Sequence, residues 1–255
     1  MALHNSKGSI SISIDARVAT IEFGHPASNS FPAQLLYQLT ETIETLGQNP
    51  DVAVVVLKSQ GTATFCAGAS FDELLAVTNE TEGKTFFSGF AHLINAMRKC
   101  PKLIIGRVQG KTVGGGVGIA AACDYVLATQ EASIKLSELT IGIGPFVIEP
   151  AVSRKIGKTA LAELSLTAQE WKSAAWAKEK GLYANTFESI EKLDEAVAEF
   201  THQLATYNPE ALTAMKKVLW VGTEHWDTLL VERAAITGKL AVSEATKTAL
   251  AAFKK

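Results

Sequence analysis

Three arrangements of apolar and polar residues divide the first half of the chain into strands and helices. Alternation across residues 9–23, around a turn at Asp15–Arg17, predicts two short strands. A continuous apolar run at residues 52–57 predicts a strand that is buried on both faces. Residues 103–108 predict another buried strand, and residues 125–128 a third strand. Apolar residues three or four positions apart predict helices at 32–46, 86–97 and 113–122. Strands that alternate with helices imply parallel pairing through helical crossovers.

After about residue 150 the strand signals stop and helical spacing dominates. This spacing predicts helices at residues 151–166, 168–180, 190–207 and 209–240. Asn208, Pro209 and Glu210 are typical of a helix start, with an asparagine cap and a proline in the first turn. The sequence therefore predicts an α/β fold in which an α/β core is followed by a helical C-terminal section.

Composition and charge exclude several classes of protein. The chain has 255 residues, 47% of them hydrophobic and 20% charged, which is typical of a globular protein of one large domain, or of one domain with an appendage. Lysine and arginine number 24 against 26 acidic residues, and no basic run occurs, so we expect neither a nucleic-acid partner nor an anionic membrane surface. No uncharged apolar window is long enough to span a bilayer.

The termini and cysteines narrow the expected location. Residues 1–7 are polar and lack the apolar core of a signal peptide. Cys66, Cys100 and Cys123 are widely spaced and fit neither a disulfide framework nor a zinc site. We therefore expect a soluble cytoplasmic protein without a metal.

Two stretches of small residues follow predicted strands. Residues 65–71 read Phe-Cys-Ala-Gly-Ala-Ser-Phe, and Gly114–Gly116 open an apolar helix. Backbone N–H groups at such junctions lack partners, and small side chains let an acceptor approach them. If the two loops face each other, they supply two donors to one oxygen, which is an oxyanion hole. Spacing alone leaves open the alternative that the glycines only allow a helix to pack closely on the sheet.

A third segment, residues 135–146, contains one acidic residue. Glu138 lies among apolar and small residues, an environment that raises the pKa of a carboxyl group toward the range useful for proton transfer. The alternative is a solvated glutamate on the surface.

Together these segments resemble the enoyl-CoA hydratase/isomerase (crotonase) superfamily, nearly from end to end. The F-C-A-G-A-D loop of that family resembles residues 65–70, and its triple glycine before an apolar helix and Cys-Asp resembles residues 114–124. Its P-E-x-x-L-G-I-x-P stretch resembles residues 137–145, and its P-x-x-N-A/S-F pattern resembles residues 26–31. The four matches occur in the family's order and spacing.

The resemblance implies a fold and a site. It implies a spiral core of repeated ββα units over residues 1–195 and a helical trimerisation region over residues 196–255. It also implies an acyl-CoA substrate, no cofactor beyond the CoA of that substrate, and a homotrimer or a dimer of trimers. The implied catalytic groups are Glu138 and the backbone N–H groups of Ala69 and Gly115, which would hold the thioester oxygen. The residues implied to bind substrate or CoA are Ala67, Gly68, Ser70, Phe71, Gly114, Ser137 and Phe146.

Departures from the family pattern favour one reaction over another. Hydratases of the family carry two glutamates. This chain has Gly118 at one of these positions and Glu138 at the other, and Ser137 replaces the proline that usually precedes the latter. A proton shift between two carbons needs only one base, whereas syn hydration uses two groups. Some isomerases of the family keep one glutamate followed by a Pro-Phe pair, as at residues 145–146. We therefore expect double-bond isomerisation with Glu138 as the single acid/base.

Three alternatives stay open at this point. A hydratase could use a relocated second acid such as Glu149, although a carboxylate near a helix start is also favoured by the helix dipole. A decarboxylase of branched enoyl-CoA needs chiefly the oxyanion hole and a proton donor. A non-catalytic scaffold that binds acyl-CoA is the third. Outside the site, we expect Asp124 to be a buried structural acid and the four tryptophans to be packing residues.

Overall fold

Two β-sheets and the helices that cover them make up the computed structural model of the chain, which describes residues 8–252. The prediction about residues 1–7 lies outside the described residues. The strands are β1 (Ser9–Asp15), β2 (Val18–Gly24), β3 (Val54–Ser59), β4 (Thr64–Cys66), β5 (Leu103–Val108), β6 (Lys111–Val113), β7 (Tyr125–Thr129), β8 (Ile134–Lys135) and β9 (Asn185–Phe187). The α-helices are α1 (Ala33–Gln48), α2 (Phe71–Ala76), α3 (Glu80–Lys99), α4 (Gly115–Ala122), α5 (Glu149–Leu166), α6 (Ala174–Glu179), α7 (Ile190–Ala205), α8 (Pro209–Leu219), α9 (Trp226–Ala241) and α10 (Glu244–Ala252), and a 3₁₀ turn covers Glu138–Ile141.

The larger sheet has six strands in the order β1-β2-β3-β5-β7-β9. Only β1 and β2 pair antiparallel among them, as the predicted hairpin requires, and the other pairs are parallel. The smaller sheet, β4-β6-β8, is entirely parallel. The α/β core followed by helices is thus confirmed. Within residues 8–252, no helix combines the length and the apolar character needed to cross a membrane.

The central strands of the larger sheet, β3 and β5, are buried on both faces, which explains their mainly apolar sequences. In β3, Val55 and Leu57 belong to the core beneath α1, α3 and α4, while Val54 and Val56 belong to a second core beneath α7. Alternate residues of a strand point to opposite faces, so a strand covered on both sides has few polar positions. The helices on one face of this sheet are the ones that carry the residues near the site.

Two ion pairs, each with at least one buried side chain, connect helices α7 and α8 to this core. Arg107 of β5 donates from Nε and Nη2 to the two carboxylate oxygens of Asp194 in α7, at 2.8 and 3.0 Å. Asp124 accepts from Lys216 Nζ and from Trp220 Nε1, both at 2.7 Å. The Asp124 and Lys216 side chains are each 2% exposed, so the expectation of a buried structural acid is confirmed.

Several predicted boundaries were wrong. The helix predicted at 113–122 begins at Gly115, because Val113 pairs in β6. Of residues 168–180, only Ala174–Glu179 are helical, because Lys172 pairs with Ile134 just before a serine cap at Ser173. The helix predicted at 209–240 is two helices, since Gly222 has a φ of +84° between them. The division of the chain at residue 195, which lies within α7, stays a prediction.

Helices α3 and α9 cross at two glycines. A Cβ built on Gly83 would lie 2.6 Å from the carbonyl oxygen of Gly238, and one built on Gly238 would lie 2.3 Å from the Lys84 nitrogen. Neither position has room for a side chain, so the two backbones touch. This contact sets the position of α9 beside the cavity described below.

Candidate active site

Two loops of small residues meet where β4 and β6 end. The first, Ala67–Ala69, follows β4, and the second is Gly114, whose φ of +54° and ψ of −124° favour glycine. A Cβ built on Gly68 would lie 3.1 Å from the Val113 oxygen and 3.5 Å from the Gly115 nitrogen. The structure therefore brings the two predicted loops into contact.

The backbone hydrogen bonds around the first loop leave one N–H free. Phe31 donates its N–H to the Gly68 oxygen at 2.8 Å, and its own oxygen accepts the Ser70 N–H at 2.9 Å. These two hydrogen bonds flank Ala69 and do not use its N–H. Gly115 is the first residue of α4, and its N–H lies outside the helical ladder. Neither the Ala69 nor the Gly115 N–H donates a hydrogen bond within residues 8–252. Both residues line the same cavity, where these groups can act as donors to a ligand oxygen.

The Cys66 side chain packs against the first loop. Its Sγ accepts the Gly68 N–H at 3.3 Å, and a Cβ built on Gly116 would lie 2.8 Å from this sulfur. Burial raises the pKa of the Cys66 thiol to about 12, so the sulfur is a neutral packing atom rather than a nucleophile.

Glu138 begins the 3₁₀ turn that follows β8, and its carboxylate reaches the glycine loop. A Cβ built on Gly114 would lie 3.0 Å from Oε1. Oε2 is buried and has no hydrogen-bond partner in the part of the chain that the structure describes. Burial in this apolar setting raises the pKa of Glu138 to about 7, against a backbone hydrogen bond that lowers it. The carboxyl group can therefore both accept and return a proton near neutral pH.

A cavity of about 390 Å³ joins these groups, which is within the usual range for a small-molecule site. Of the residues predicted from the sequence, it is lined by Ala67, Gly68, Ala69, Phe71, Gly114, Gly115, Ser137 and Glu138. Ser70 and Phe146 do not line it. Ser70 caps α2 by accepting the Glu73 N–H, and the Phe146 ring lies where a side chain on Gly144 would go.

The position of the family's second glutamate is closed. A Cβ built on Gly118 would lie 2.3 Å from Cγ2 of Ile148, which itself lines the cavity. Glu149 does not line this cavity: its carboxylate lies 2.5 Å from Lys158 Nζ and 3.9 Å from Arg233, in a separate cleft. Among the described residues, Glu138 is thus the one acidic side chain on the cavity wall.

Sequence reasoning missed much of the wall. The residues it missed include Phe87, Phe90, Val113, Lys135, Ile143, Ile148, Trp171 and Thr237. Trp171 was interpreted as a packing residue, but it is 44% exposed, whereas Trp220 and Trp226 are buried as expected. A local signal existed for Val113, which precedes Gly114, and for Lys135 and Ile143, which lie close to Glu138 in sequence. Residues 8–252 contain no group of three acidic, histidine or cysteine side chains placed to hold a metal ion.

Comparison with known proteins gives a consistent result. A profile of the enoyl-CoA hydratase/isomerase family matches residues 13–253. The short-chain-enoyl-CoA hydratase of Clostridium acetobutylicum is 28% identical over 242 residues, which cover 94% of this chain and 92% of that protein. The peroxisomal Delta(3,5)-Delta(2,4)-dienoyl-CoA isomerase of Arabidopsis thaliana is 26% identical over 206 residues, which cover 75% and 72%.

The fold is shared as well. A solved enoyl-CoA hydratase from Mycobacterium avium superposes with a TM-score of 0.86 at 27% identity, over 96% of this chain and 95% of that one. The similarity therefore extends across the site and the helical C-terminal section.

Proposed function

The chain belongs to the enoyl-CoA hydratase/isomerase family and is an enzyme of that family, and from this premise we propose that it moves the double bond of an enoyl-CoA between the 3- and 2-positions. The thioester oxygen is held by the N–H groups of Ala69 and Gly115. Glu138 is the single acid/base. CoA is part of the substrate, and no other cofactor takes part.

The proposed reaction is a proton shift through a dienolate. The Glu138 carboxylate removes a proton from C2 of the 3-enoyl thioester, and the electrons of that C–H bond move into the conjugated system and onto the thioester oxygen. The two backbone donors stabilise this negative charge, and one such donor contributes about 10²–10³-fold to the rate in other enzymes. The protonated Glu138 then delivers its proton to C4, which gives the 2-enoyl thioester and restores the carboxylate.

One observation carries this proposal: a lone carboxylate whose pKa is about 7 faces the junction of the two loops. A base that must take up and release the same proton works best when its pKa is near the pH of the medium. The side chain of Ile148 supports isomerisation over hydration, because it fills the space where a second carboxylate at position 118 would be needed.

Hydration is the second candidate, and the name of the Clostridium acetobutylicum relative favours it. With Glu138 alone, water would have to be activated and the α-proton delivered by the same group. A missing general acid or base typically lowers the rate by about 10²–10⁴-fold. We therefore infer that hydration of a 2-enoyl-CoA is a slow side reaction of this enzyme.

Product analysis separates these candidates. The protein is incubated with a 3-enoyl-CoA, and in parallel with the matching 2-enoyl-CoA, while absorbance of the conjugated thioester and product mass are followed. We expect the 3-enoyl-CoA to gain conjugation without a change in mass. Addition of water as the faster reaction would indicate a hydratase. A third incubation with a branched carboxylated acyl-CoA tests for a decarboxylase, which would release carbon dioxide. If no substrate reacts, the protein is an acyl-CoA-binding scaffold.

We also propose that the protein acts in the cytoplasm as a homotrimer or a dimer of trimers. Exposed apolar side chains on and just after α8 support an oligomer: Met215, Val218 and Val221 are 48%, 63% and 73% exposed. Sedimentation analysis tests the oligomeric state, and a monomer at micromolar concentration contradicts the proposed oligomer.

A further inference from the structure

Two lysines approach one tryptophan at the edge of the candidate site. Lys111 Nζ lies 5.5 Å and Lys135 Nζ 5.6 Å from the centre of the Trp171 ring. Lys135 and Trp171 line the same cavity as Glu138. The cavity therefore has a cationic region as well as its apolar wall.

The small sheet produces this arrangement. Val113 of β6 pairs with Lys135 of β8, and Lys111 lies two residues before Val113, so both lysines project from the same face of the sheet. A bridge between Ile134 and Lys172 places Trp171 beside that face. The Lys135 backbone oxygen accepts the Gly114 N–H at 2.9 Å, which connects the backbone of β8 to the glycine loop.

The two ammonium groups have no acidic partner. Neither Lys111 nor Lys135 forms an ion pair in the part of the chain that is described, although lysines elsewhere do so, as Lys172 does with Glu163 and Glu170. Like charges held near one ring repel each other, and an anion between them would be attracted to both. The ring provides a flat apolar surface for the carbon atoms that lead to such an anion.

We propose that Lys111 and Lys135 bind a carboxylate at the far end of the acyl group, so that the substrate is the enoyl-CoA of a dicarboxylic acid. The inference rests on the proposed function, because it takes the acyl group to lie in this cavity. The phosphate groups of CoA share the same anionic chemistry. However, the pantetheine arm separates them from the thioester, whereas Lys135 and Trp171 line the same cavity as Glu138, where the acyl group would lie.

Binding of two saturated thioesters tests the proposal without any turnover. Hexanoyl-CoA and adipoyl-CoA have six acyl carbons each and differ in a terminal methyl or carboxylate group. By titration calorimetry we expect the wild-type protein to bind adipoyl-CoA about tenfold more tightly, as a charge-assisted hydrogen bond typically provides. Equal or weaker binding of adipoyl-CoA by the wild-type protein overturns the proposal whatever the variants do.

Lysine variants then locate the effect. We expect Lys135→Met and Lys111→Met each to reduce the preference for adipoyl-CoA several-fold. Lys192→Met is the matched control, since it removes an exposed lysine of α7 on the far face of the larger sheet, and it should keep the wild-type ratio. If Lys135→Met weakens both thioesters by the same factor, the lysine holds a CoA phosphate and the dicarboxylic inference is wrong.

The outcome is separable from that of the proposed function. A preference for adipoyl-CoA in a protein that does not isomerise any enoyl-CoA supports the subsite and contradicts the isomerase. Isomerisation of an apolar 3-enoyl-CoA without any preference for a terminal carboxylate contradicts the subsite alone.

Discussion

Cγ2 of Ile148 lies 2.3 Å from the place where a Cβ on Gly118 would stand. Any side chain at position 118 must displace Ile148, which also lines the cavity. Ile148 therefore occupies the space that a second glutamate at this position would need, and a single substitution at residue 118 would not restore the two-carboxylate arrangement.

This contact predicts coupling between the two positions. Gly118→Ala should destabilise the fold by about 1–3 kcal/mol, because the added methyl group overpacks the core. In the double variant with Ile148→Ala, the loss should be smaller than the sum of the single losses by about 0.5–3 kcal/mol. Urea unfolding of the wild type, the two single variants and the double variant measures this coupling energy. Gly118→Ala with Val197→Ala, which lies in the other core, is the control and should be additive; additivity in the first pair contradicts the contact.

Removal of the Glu138 carboxylate should abolish most of the activity. We expect Glu138→Gln to lower kcat/KM for a 3-enoyl-CoA by about 10²–10⁴-fold, because the proton then has no acceptor. Glu149→Gln, which changes an acid in a separate cleft, should keep the wild-type rate. Steady-state kinetics at one pH compares them, and a Glu138→Gln enzyme of undiminished activity removes this residue from the mechanism.

The pH dependence of the wild-type enzyme follows from the same carboxyl group. The base form is the active one, so kcat/KM should rise as the pH increases through about 7 and level off above it. An apparent pKa near that of an ordinary glutamate, about 4.3, would mean that the reacting carboxylate is not buried in the way described.

The free energy of unfolding should change with pH in the opposite direction to kcat/KM. The native pKa of Glu138 is about 7, well above that of an ordinary glutamate, so between the two values the native state holds a proton that the unfolded chain has released. Burial of the ionised group therefore reduces the free energy of unfolding as pH rises through this window. Glu138→Gln carries no such charge, and its stability relative to wild type should increase from pH 4.5 to pH 8. Thermal or urea unfolding at several pH values measures this, and a constant difference contradicts it.

The buried ion pair outside the site makes a separate prediction. Lys216→Met leaves the Asp124 carboxylate buried without its cation, which typically lowers the free energy of unfolding by about 3–5 kcal/mol. Lys217→Met changes the exposed neighbour and should stay within about 0.5 kcal/mol of wild type. Urea unfolding compares them, and equal effects would show that the pair adds nothing.

Sequence alone identified the parts of the fold with strong local patterns. Strands β3, β5 and β7 were predicted because buried parallel strands are long apolar runs. Strand β8 has two residues, too few for any period to appear, and the small sheet was missed with it. The break at Gly222 was missed because helical spacing continues on both sides of a residue whose φ only glycine readily adopts.

For the site, the outcome divides in the same way. Glu138 and the small-residue loops carry local motifs and were found, but Ile148 and Trp171 reach the cavity only through tertiary packing. Phe146 and Ile148 are two residues apart in the segment that enters α5, and the course of that segment decides which of them lines the cavity. No property of the residue types distinguishes the two.

The glycine crossing of α3 and α9 has a consequence for substrate length. Thr237 lies next to Gly238, so the backbone contact with Gly83 holds this threonine against the cavity. The helix cannot retreat to admit a longer acyl tail without separating from α3. Under the proposed function, selection among chain lengths would then depend on the size of the side chain at 237 and not on a shift of the helix, and Gly83 and Gly238 would influence it from outside the cavity.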